Sequence, residues 1–262
     1  MFKISQKGTV KYLESKALKE CDFIDHAFCT RWGGVSEGKF ANLNFSLQEG
    51  DKKEMVSRNW EMLASSFGLS TEQFFMAKQV HRNGILVINA DTSNHPSDFD
   101  AIVSDRSGLA IGILTADCVP IFLVDRRKRA IGVVHAGWKG TSLKIAARTV
   151  NTFVERFSSS TSDIIAVIGP AIGRCCYQVD GVVFDAMKWD ENRESFFSKC
   201  NERGKWMLDL PLANRLQIQS AGVPSGNISP AGICTSCRGD IFFSHRRGVG
   251  KTGRQLSFII LR

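Results

Sequence analysis

The stretch AIGILTADCVPIFLVDRRKRAIGVVHAGWKG, residues 110–140, holds three apolar runs that are separated by turn-forming or charged residues. The runs cover 110–114, 121–124 and 131–134, and their length and β-branched content are typical of buried strands. We therefore predict that they form three strands of one sheet. The basic run 126–129 between the second and third strands predicts an exposed hairpin turn.

Cys118 and His135 lie in this stretch where predicted strands give way to turns, in the motifs TADC and HAGWKG. Neighbouring strands would place the thiol and the imidazole side by side. Such a pair forms either a soft-metal site or a nucleophile with its general base. Both interpretations predict an enzyme.

The periodicity of the remaining chain predicts a mixture of helices and strands. The predicted helices cover 56–67, 143–157, 182–187 and 212–221. The predicted strands outside 110–140 cover 85–88, 164–168 and 256–261, with short strands before residue 28. Because the elements follow no strict βαβ rhythm, we predict an α/β sandwich with a mixed sheet, forming one domain over residues 1–262.

The composition is that of an ordinary globular protein, with 262 residues and a formal net charge of +8. The positive charge favours anionic partners, but the sequence offers no recognition helix and no aromatic–basic interleaving, so we expect no nucleic-acid partner. No apolar run is long enough to span a bilayer and no secretory segment begins the chain, so we expect a soluble, cytoplasmic protein with no membrane partner.

The eight cysteines do not suggest a disulfide scaffold in a chain of this size without a leader. We interpret the pair Cys175 and Cys176 as packing around a turn. Cys234 and Cys237 form a lone CxxC, which is weak support for a zinc or redox site, so we interpret it as part of the fold.

His81, Cys118 and His135 are the candidate metal ligands. Two histidines and a cysteine leave one position of a zinc tetrahedron open, as in catalytic zinc sites. The alternative is that each of the three is a hydrogen-bonded core residue.

Several motifs resemble the YfiH/YlmD-type family, which carries the older labels laccase domain and multicopper polyphenol oxidase. They are TRWGGVS (30–36), QVH (79–81), TADCVP (115–120), HAGWKG (135–140), IGPAIGRCCYQV (168–179) and SHRRGVGKTGRQ (244–255). The resemblance spans nearly the whole chain and implies one YfiH-like catalytic domain. It also implies the α/β sandwich that this family shares with cytotoxic-necrotizing-factor-like thiol hydrolases.

The resemblance implies phosphorolysis of adenosine, inosine, guanosine and methylthioadenosine, together with deamination of adenosine. It also implies zinc bound by His81, Cys118 and His135, the three residues chosen above. The chain departs from the family pattern at Gln48, where the family often has histidine, and at Trp60, where it often has arginine.

Chemistry suggests roles for further polar residues. The guanidinium of Arg246 or Arg247 suits bidentate phosphate binding. The amides of Asn44 and Gln79 suit ribose hydroxyls or purine edges. We also consider Asp117 as a group that orients a histidine ligand, and His245 as an additional polar group. The candidate substrate-binding residues are therefore Asn44, Gln79, Arg246 and Arg247.

Three other functions remain open at this point. His₂Cys sets occur in copper sites, so a copper-dependent polyphenol oxidase is one alternative, although five histidines are too few for a multicopper centre. A metal-free thiol hydrolase with Cys118 as nucleophile and His135 as base, acting on peptidoglycan precursors, is the second. The third is a non-enzymatic basic binding module.

We predict a zinc-dependent purine nucleoside phosphorylase with adenosine deaminase side activity, as a monomer or weak homo-oligomer.

Overall fold

The computed structural model of the protein describes residues 1–89 and 98–262. The strands within these ranges are β1 (Phe2–Lys7), β2 (Val10–Ser15), β3 (Ile24–Cys29), β4 (Phe74–Met76), β5 (Ile85–Ile88), β6 (Ala101–Ser104), β7 (Ala110–Thr115), β8 (Val119–Asp125), β9 (Ala130–Ala136), β10 (Ile164–Ile168), β11 (Gln178–Asp180), β12 (Phe197–Lys199), β13 (Lys205–Leu208), β14 (Ile228–Pro230) and β15 (Gln255–Leu261). The α-helices within them are α1 (Lys16–Lys19), α2 (Lys53–Ser66), α3 (Trp138–Ser142), α4 (Ile145–Phe157), α5 (Gly181–Ala186), α6 (Arg193–Phe196) and α7 (Leu210–Ser220).

The strands form two six-stranded sheets and one three-stranded sheet. The first sheet has the order β1-β2-β3-β15-β7-β4, the second β14-β10-β8-β9-β6-β5, and the third β11-β13-β12. Strand pairs β4/β7, β5/β6 and β10/β14 are parallel, and the other pairings between described strands are antiparallel. The predicted α/β class with a mixed sheet is confirmed.

The two large sheets pack face to face, and strand β8 shows how both of its faces are buried. Phe122 points toward the first sheet, where its ring stacks on Phe28 with centroids 4.2 Å apart. Leu123 points the other way, into a cluster that includes Ile145 and Phe153 of α4. Because both faces of such a strand meet apolar side chains, its sequence is a continuous apolar run and not an alternating one.

Helices cover the outer faces of the two sheets. Helix α4 and helix α7 pack on the second sheet, while Leu63 of α2 and Phe67 at its end pack on Tyr12 and Phe258 of the first sheet. The layers therefore run helix, sheet, sheet, helix. None of the helices in the described ranges is long and apolar enough to cross a bilayer.

The three strands predicted from 110–140 are present as β7, β8 and β9, but the prediction that they share one sheet is wrong. β7 lies between β15 and β4 in the first sheet, while β8 and β9 are neighbours in the second. The chain crosses between the sheets in the turn that holds Asp117, whose backbone adopts a left-handed φ of 88°. The predicted turn at 126–129 is confirmed, and the Asp125 carboxylate caps it by accepting from the N–H groups of Arg127 and Lys128.

Candidate active site

The pairing of β8 with β9 brings Cys118 and His135 to the same end of the second sheet. In this antiparallel register Val119 lies opposite Ala136 and Pro120 lies opposite His135. Cys118 directly precedes β8, while His135 is the penultimate residue of β9. The two side chains therefore lie at the same end of the sheet, although they are 17 residues apart in the sequence.

His81 reaches the same end of the sheet from the loop between β4 and β5. Its backbone has a left-handed φ of 57°, and its ring lies 4.7 Å from the His135 ring, centroid to centroid, at an interplanar angle of 72°. One ligand atom each from His81, Cys118 and His135 lies within 4.8 Å of the other two. The structure thus brings together the three residues that the sequence selected.

A buried carboxylate, Asp100, holds both histidines in place. Its Oδ1 lies 2.8 Å from Nδ1 of His135, and both side chains are buried. The same carboxylate accepts the backbone N–H groups of Val80, His81 and Arg82 at 3.3, 2.9 and 2.7 Å. Because Nδ1 of His135 bonds to Asp100, Nε2 is the ring nitrogen that is left to bind a metal ion, as in carboxylate–histidine–metal arrangements.

Asp117 was the candidate for this orienting role, and that interpretation is wrong. The Asp117 carboxylate accepts from Thr235 Oγ1 at 2.6 Å, Ser244 Oγ at 3.0 Å and the backbone N–H of Arg246 at 2.7 Å. It therefore joins the turn before Cys118 to the loops of the 234–247 region. Asp100 precedes an apolar strand in the sequence without any motif, so no local signal distinguished it.

The electrostatics of the three groups favour a thiolate next to an imidazolium when no metal is bound. Burial opposes charge on Cys118, but the charge of His135 and hydrogen bonds from His135 and His81 lower the pKa of this thiol to about 6. Burial likewise opposes charge on His135, while Cys118 and Asp100 raise its pKa to about 9. The pKa of Asp100 is lowered despite its burial, because His135 and backbone N–H groups donate to it.

The donor set fits a zinc ion with one open coordination position. Two imidazoles and a thiolate are preferred zinc ligands, and three protein ligands leave the fourth position free. Gly137 keeps the space beside them clear, because a Cβ at this residue would lie 3.0 Å from His81 Nδ1 and 3.1 Å from Cys118 Sγ. The same donors also fit copper, which generally binds N and S ligands more tightly than zinc.

His81, Cys118 and His135 line a cavity of about 540 Å³. Four cationic side chains also line it, namely Lys78, Lys139, Arg246 and Arg254. Trp138 and Tyr177 contribute aromatic surface. A cleft of this size, with apolar walls and a few polar groups, is typical of small-molecule sites. Lys78 pairs with Asp98 and Arg254 pairs with Glu49, so Lys139 and Arg246 are the cations that favour an anion here.

Gln79 and Arg246 line the cavity as expected of substrate-binding residues. The Gln79 amide, however, pairs with both backbone groups of Leu114, at 2.8 Å in each case. Arg246 donates to the carbonyls of Cys176 and Gln178 and stacks over Tyr177, which uses two of its five N–H donors. Arg246 therefore remains able to bind an anion, while Gln79 positions the strand beside Cys118.

Asn44 and Arg247 do not lie among the residues that line the cavity. Asn44 is buried, and its amide is fully used by Ser46, Asp51 and the N–H of Arg254. Arg247 donates to the carbonyls of Thr235, Ser236 and Phe242. Their placement gives no support to the expected substrate contacts, and both instead brace the loops around the site.

The two departures from the family pattern fall in different environments. Gln48 lines the cavity, as does His245. Trp60 lies outside it and packs edge-on against Phe45 and Phe74, with its indole N–H donating to the Phe45 carbonyl. The substitution at Gln48 therefore changes the cavity wall, while that at Trp60 changes the packing of α2.

Several residues of the cavity wall were not predicted from the sequence. Lys78, Lys139, Arg254 and Tyr177 line it, although none was proposed for the site. Lys78 adjoins the motif QVH, and Lys139, Tyr177 and Arg254 lie inside three of the quoted motifs. Their neighbourhood to these motifs is the signal that could have identified them.

Comparison with known proteins identifies relatives over most of the chain. The family model described as multi-copper polyphenol oxidoreductase laccase matches residues 25–262. Purine nucleoside phosphorylase YlmD of Geobacillus stearothermophilus is 40% identical over 239 residues, covering 88% of this chain and 87% of the relative. A purine nucleoside phosphorylase of Bacteroides thetaiotaomicron is 35% identical over 262 residues, 96% of each chain. The crystal structure of hypothetical protein YfiH from Bacillus licheniformis matches with a TM-score of 0.92 and 34% identity, covering 100% of this chain and 99% of that one.

Replacing the carboxylate behind His135 tests its role in holding the ligands. We expect Asp100→Asn to weaken zinc binding by about 10- to 100-fold, because the amide no longer fixes the imidazole in its metal-binding form. Competition with a chromophoric chelator measures the affinity. The control is Asp98→Asn, the same change at an exposed residue two positions away that pairs with Lys78. An unchanged affinity in Asp100→Asn would remove Asp100 from the site.

Proposed function

The chain belongs to the multi-copper polyphenol oxidoreductase laccase family, and we propose that it is a zinc-dependent purine nucleoside phosphorylase. Relatives named purine nucleoside phosphorylase, such as the YlmD protein, support this activity. The observation that carries the proposal is the placement of His81, Cys118 and His135 on the wall of a cavity that also carries four cations. The proposed substrates are adenosine, inosine, guanosine and methylthioadenosine, with adenosine deamination as a side activity.

Phosphorolysis transfers the pentose from the purine to phosphate. An oxygen of phosphate forms a bond to the anomeric carbon while the glycosidic bond breaks, and the purine leaves with the bonding electron pair and takes up a proton. The products are the free base and a pentose 1-phosphate. The chain must therefore hold an anion next to the sugar and keep the purine in a fixed orientation.

The cations of the cavity supply the anion site in this proposal. Arg246 is the best-placed residue, because its stacking on Tyr177 and its bonds to two carbonyls fix the guanidinium before phosphate arrives. Lys139, whose Nζ lies 5.5 Å from the centre of the Trp138 ring, adds positive charge from α3. Guanidinium groups suit phosphate because they donate two parallel hydrogen bonds.

Tyr177 and Trp138 supply the purine-binding surface in this proposal. Both rings line the cavity and are half-buried, and Ile172 and Leu114 add apolar contacts. Planar purines bind well between aromatic and aliphatic walls. This leaves the sugar to lie between the purine and the cations.

His81, Cys118 and His135 would hold the zinc ion, which acts as a Lewis acid when bound. The chain's own contribution is orientation: Asp100 fixes His135 through Nδ1 and fixes the backbone of residues 80–82. Asp117 holds the turn that presents Cys118. Both carboxylates are buried, so their hydrogen bonds are not weakened by water.

Copper chemistry is less well supported than zinc, despite the family name. A multicopper oxidase needs a trinuclear centre rich in histidine besides its mononuclear site. Among the described residues, His81 and His135 share one donor cluster, while the ring of His26 is buried and accepts the N–H of Ser15. Copper would use the same three ligands, and the described residues hold no second cluster of histidines for a trinuclear centre.

A metal-free thiol hydrolase is the second candidate, because Cys118, His135 and Asp100 also form a nucleophile–base–carboxylate series. The lowered pKa of Cys118 and the raised pKa of His135 suit this chemistry. Its substrates would be precursors of peptidoglycan. Under this hypothesis, the activity would require neither bound zinc nor added phosphate.

The setting of the enzyme is part of the proposal. Eight free thiols suit the reducing cytoplasm. We propose a single catalytic domain over residues 1–262 that acts as a monomer or weak homo-oligomer, with small-molecule partners only. The net charge of +8 is consistent with phosphorylated ligands.

A product assay on protein of known metal content tests the activity. With adenosine and phosphate we expect adenine and ribose 1-phosphate, and neither product when phosphate is omitted. Cys118→Ala should lower turnover by at least about 100-fold, since it removes a ligand. Cys200→Ala is the matched control, because this half-buried thiol lies outside the site. Zinc-loaded protein without purine turnover would contradict the proposal, and inosine as the main product would make deamination the principal reaction.

The anion site is tested by Arg246→Ala. We expect the KM for phosphate to rise about 10- to 100-fold, the loss of one charge-assisted interaction, with a smaller change in the KM for the nucleoside. Arg58→Ala is the control, since Arg58 is exposed on α2 and pairs with Glu61. Equal increases for both substrates would show that Arg246 shapes the cavity without binding phosphate.

The thiolate is tested by alkylation of metal-stripped protein across a pH series. Only the thiolate reacts, so the lowered pKa predicts a rate that rises through about pH 6 and is near its plateau at neutral pH. His135→Gln removes the main stabilising charge and should move the midpoint up to or beyond the ordinary thiol value of about 8.5, because burial then dominates. A midpoint unaffected by His135→Gln would refute the ion pair. Turnover that survives metal removal and is lost on alkylation would favour the thiol hydrolase.

A further inference from the structure

A second cysteine cluster lies outside the three ligands of the active site. Cys175 and Cys176 come from the loop between β10 and β11, while Cys234 and Cys237 come from the loop after β14. The four sulfur atoms lie within 4.8 Å of one another. The two pairs were interpreted separately from the sequence, because 57 residues lie between Cys176 and Cys234.

The sulfur positions fit one tetrahedral ion. Cys237 Sγ lies 3.5 Å from Cys175 Sγ and 3.4 Å from Cys176 Sγ. A tetrahedral zinc site with Zn–S bonds of about 2.3 Å places its sulfurs about 3.8 Å apart. A cluster of several irons would need sulfurs spread around a larger core. The observed spacing therefore suits a single ion.

Backbone and arginine groups surround the cluster, and at Cys234 they favour a thiolate. The backbone N–H of Gly173 donates to Cys234 Sγ at 3.2 Å, and such donors stabilise negative sulfur. Arg247 donates to the carbonyls of Thr235 and Ser236, inside the CxxC segment. Arg246 donates to the carbonyl of Cys176. Two guanidinium groups are thus bound to the backbone around four sulfurs whose zinc complex would carry a net negative charge.

The cluster joins the two loops that form one wall of the active-site cavity. Ala171 and Thr235 hydrogen-bond across the loops, and Thr235 in turn donates to Asp117 next to Cys118. Tyr177 follows Cys176 directly and lines the cavity. An ion shared by both loops would fix this wall without taking part in the reaction.

We propose that Cys175, Cys176, Cys234 and Cys237 bind one zinc ion as a closed structural site that fixes the cavity wall. Four thiolates leave no open coordination position, in contrast to the His81, Cys118 and His135 set. The proposal does not depend on the phosphorylase activity. It concerns only metal content and the order of the two loops.

Metal analysis of four proteins, purified under reducing conditions with zinc in the growth medium, tests the site. We expect about two zinc ions per chain in the unchanged protein and in Cys200→Ser, about one in Cys118→Ala, and about one in the double variant Cys234→Ser/Cys237→Ser. Zinc retained by Cys118→Ala belongs to the cysteine cluster, so failure of the active-site metal and failure of this site are distinguishable.

Cobalt substitution in Cys118→Ala gives a second readout that is independent of activity. We expect an intense thiolate-to-cobalt charge-transfer absorption typical of four sulfur ligands, which should be absent when Cys234 and Cys237 are also replaced. Should the double variant fail to fold, the single variant Cys175→Ser changes an exposed ligand and should weaken zinc binding at least about 10-fold in chelator competition.

Three results would overturn the proposal. The first is zinc content in Cys118→Ala no higher than background, with disulfides in the cluster detected by mass before and after reduction. The second is zinc content unchanged by Cys234→Ser/Cys237→Ser. The third is iron in place of zinc in Cys118→Ala, which would assign the four thiolates to a redox ion.

Discussion

The buried Asp100 carboxylate is the interaction on which the geometry of the candidate active site depends. It contacts the His135 ring and three consecutive backbone N–H groups of the His81 loop at the same time. Two histidines from distant parts of the chain thereby share one anchor. A buried carboxylate is stable only when its lone pairs are used, so the loop and the ring also stabilise Asp100 in return. The Asp100 carboxylate, the His135 ring and the His81 loop therefore hold one another in position.

The sequence predicted the elements well wherever burial is two-sided. The apolar runs of β7, β8 and β9 and the helical stripe of α4 are long and continuous, so their type could be predicted from periodicity alone. Their assembly could not, because the crossing from the first sheet to the second depends on the left-handed backbone of Asp117. No pattern of apolar residues encodes such a change of sheet, and β7 was therefore assigned to the wrong one.

The candidate metal ligands have local signals in the sequence, whereas the residues that support them do not. Cys118 and His135 stand at the ends of apolar runs, and His81 lies in a short motif, so each has a local signal. Asp100 acts through a contact with a residue 35 positions away, which only the folded chain creates. Asn44 and Arg247 stay predictions as substrate residues, and the structure shows a further role for both: Asn44 accepts the N–H of Arg254, and Arg247 donates to the carbonyls of Thr235 and Phe242.

The two thiol-containing sites differ in the feature that separates reactive from structural metal centres. Around Cys118 the described residues offer three donors, and Gly137 keeps the neighbouring space free of a side chain. Around Cys234 they offer four, with no position left for a substrate. The same loops connect the two sites through Thr235 and Asp117. The closed cysteine centre would keep the cavity wall rigid. The open centre at Cys118 would stay accessible to substrate, and catalysis needs both properties.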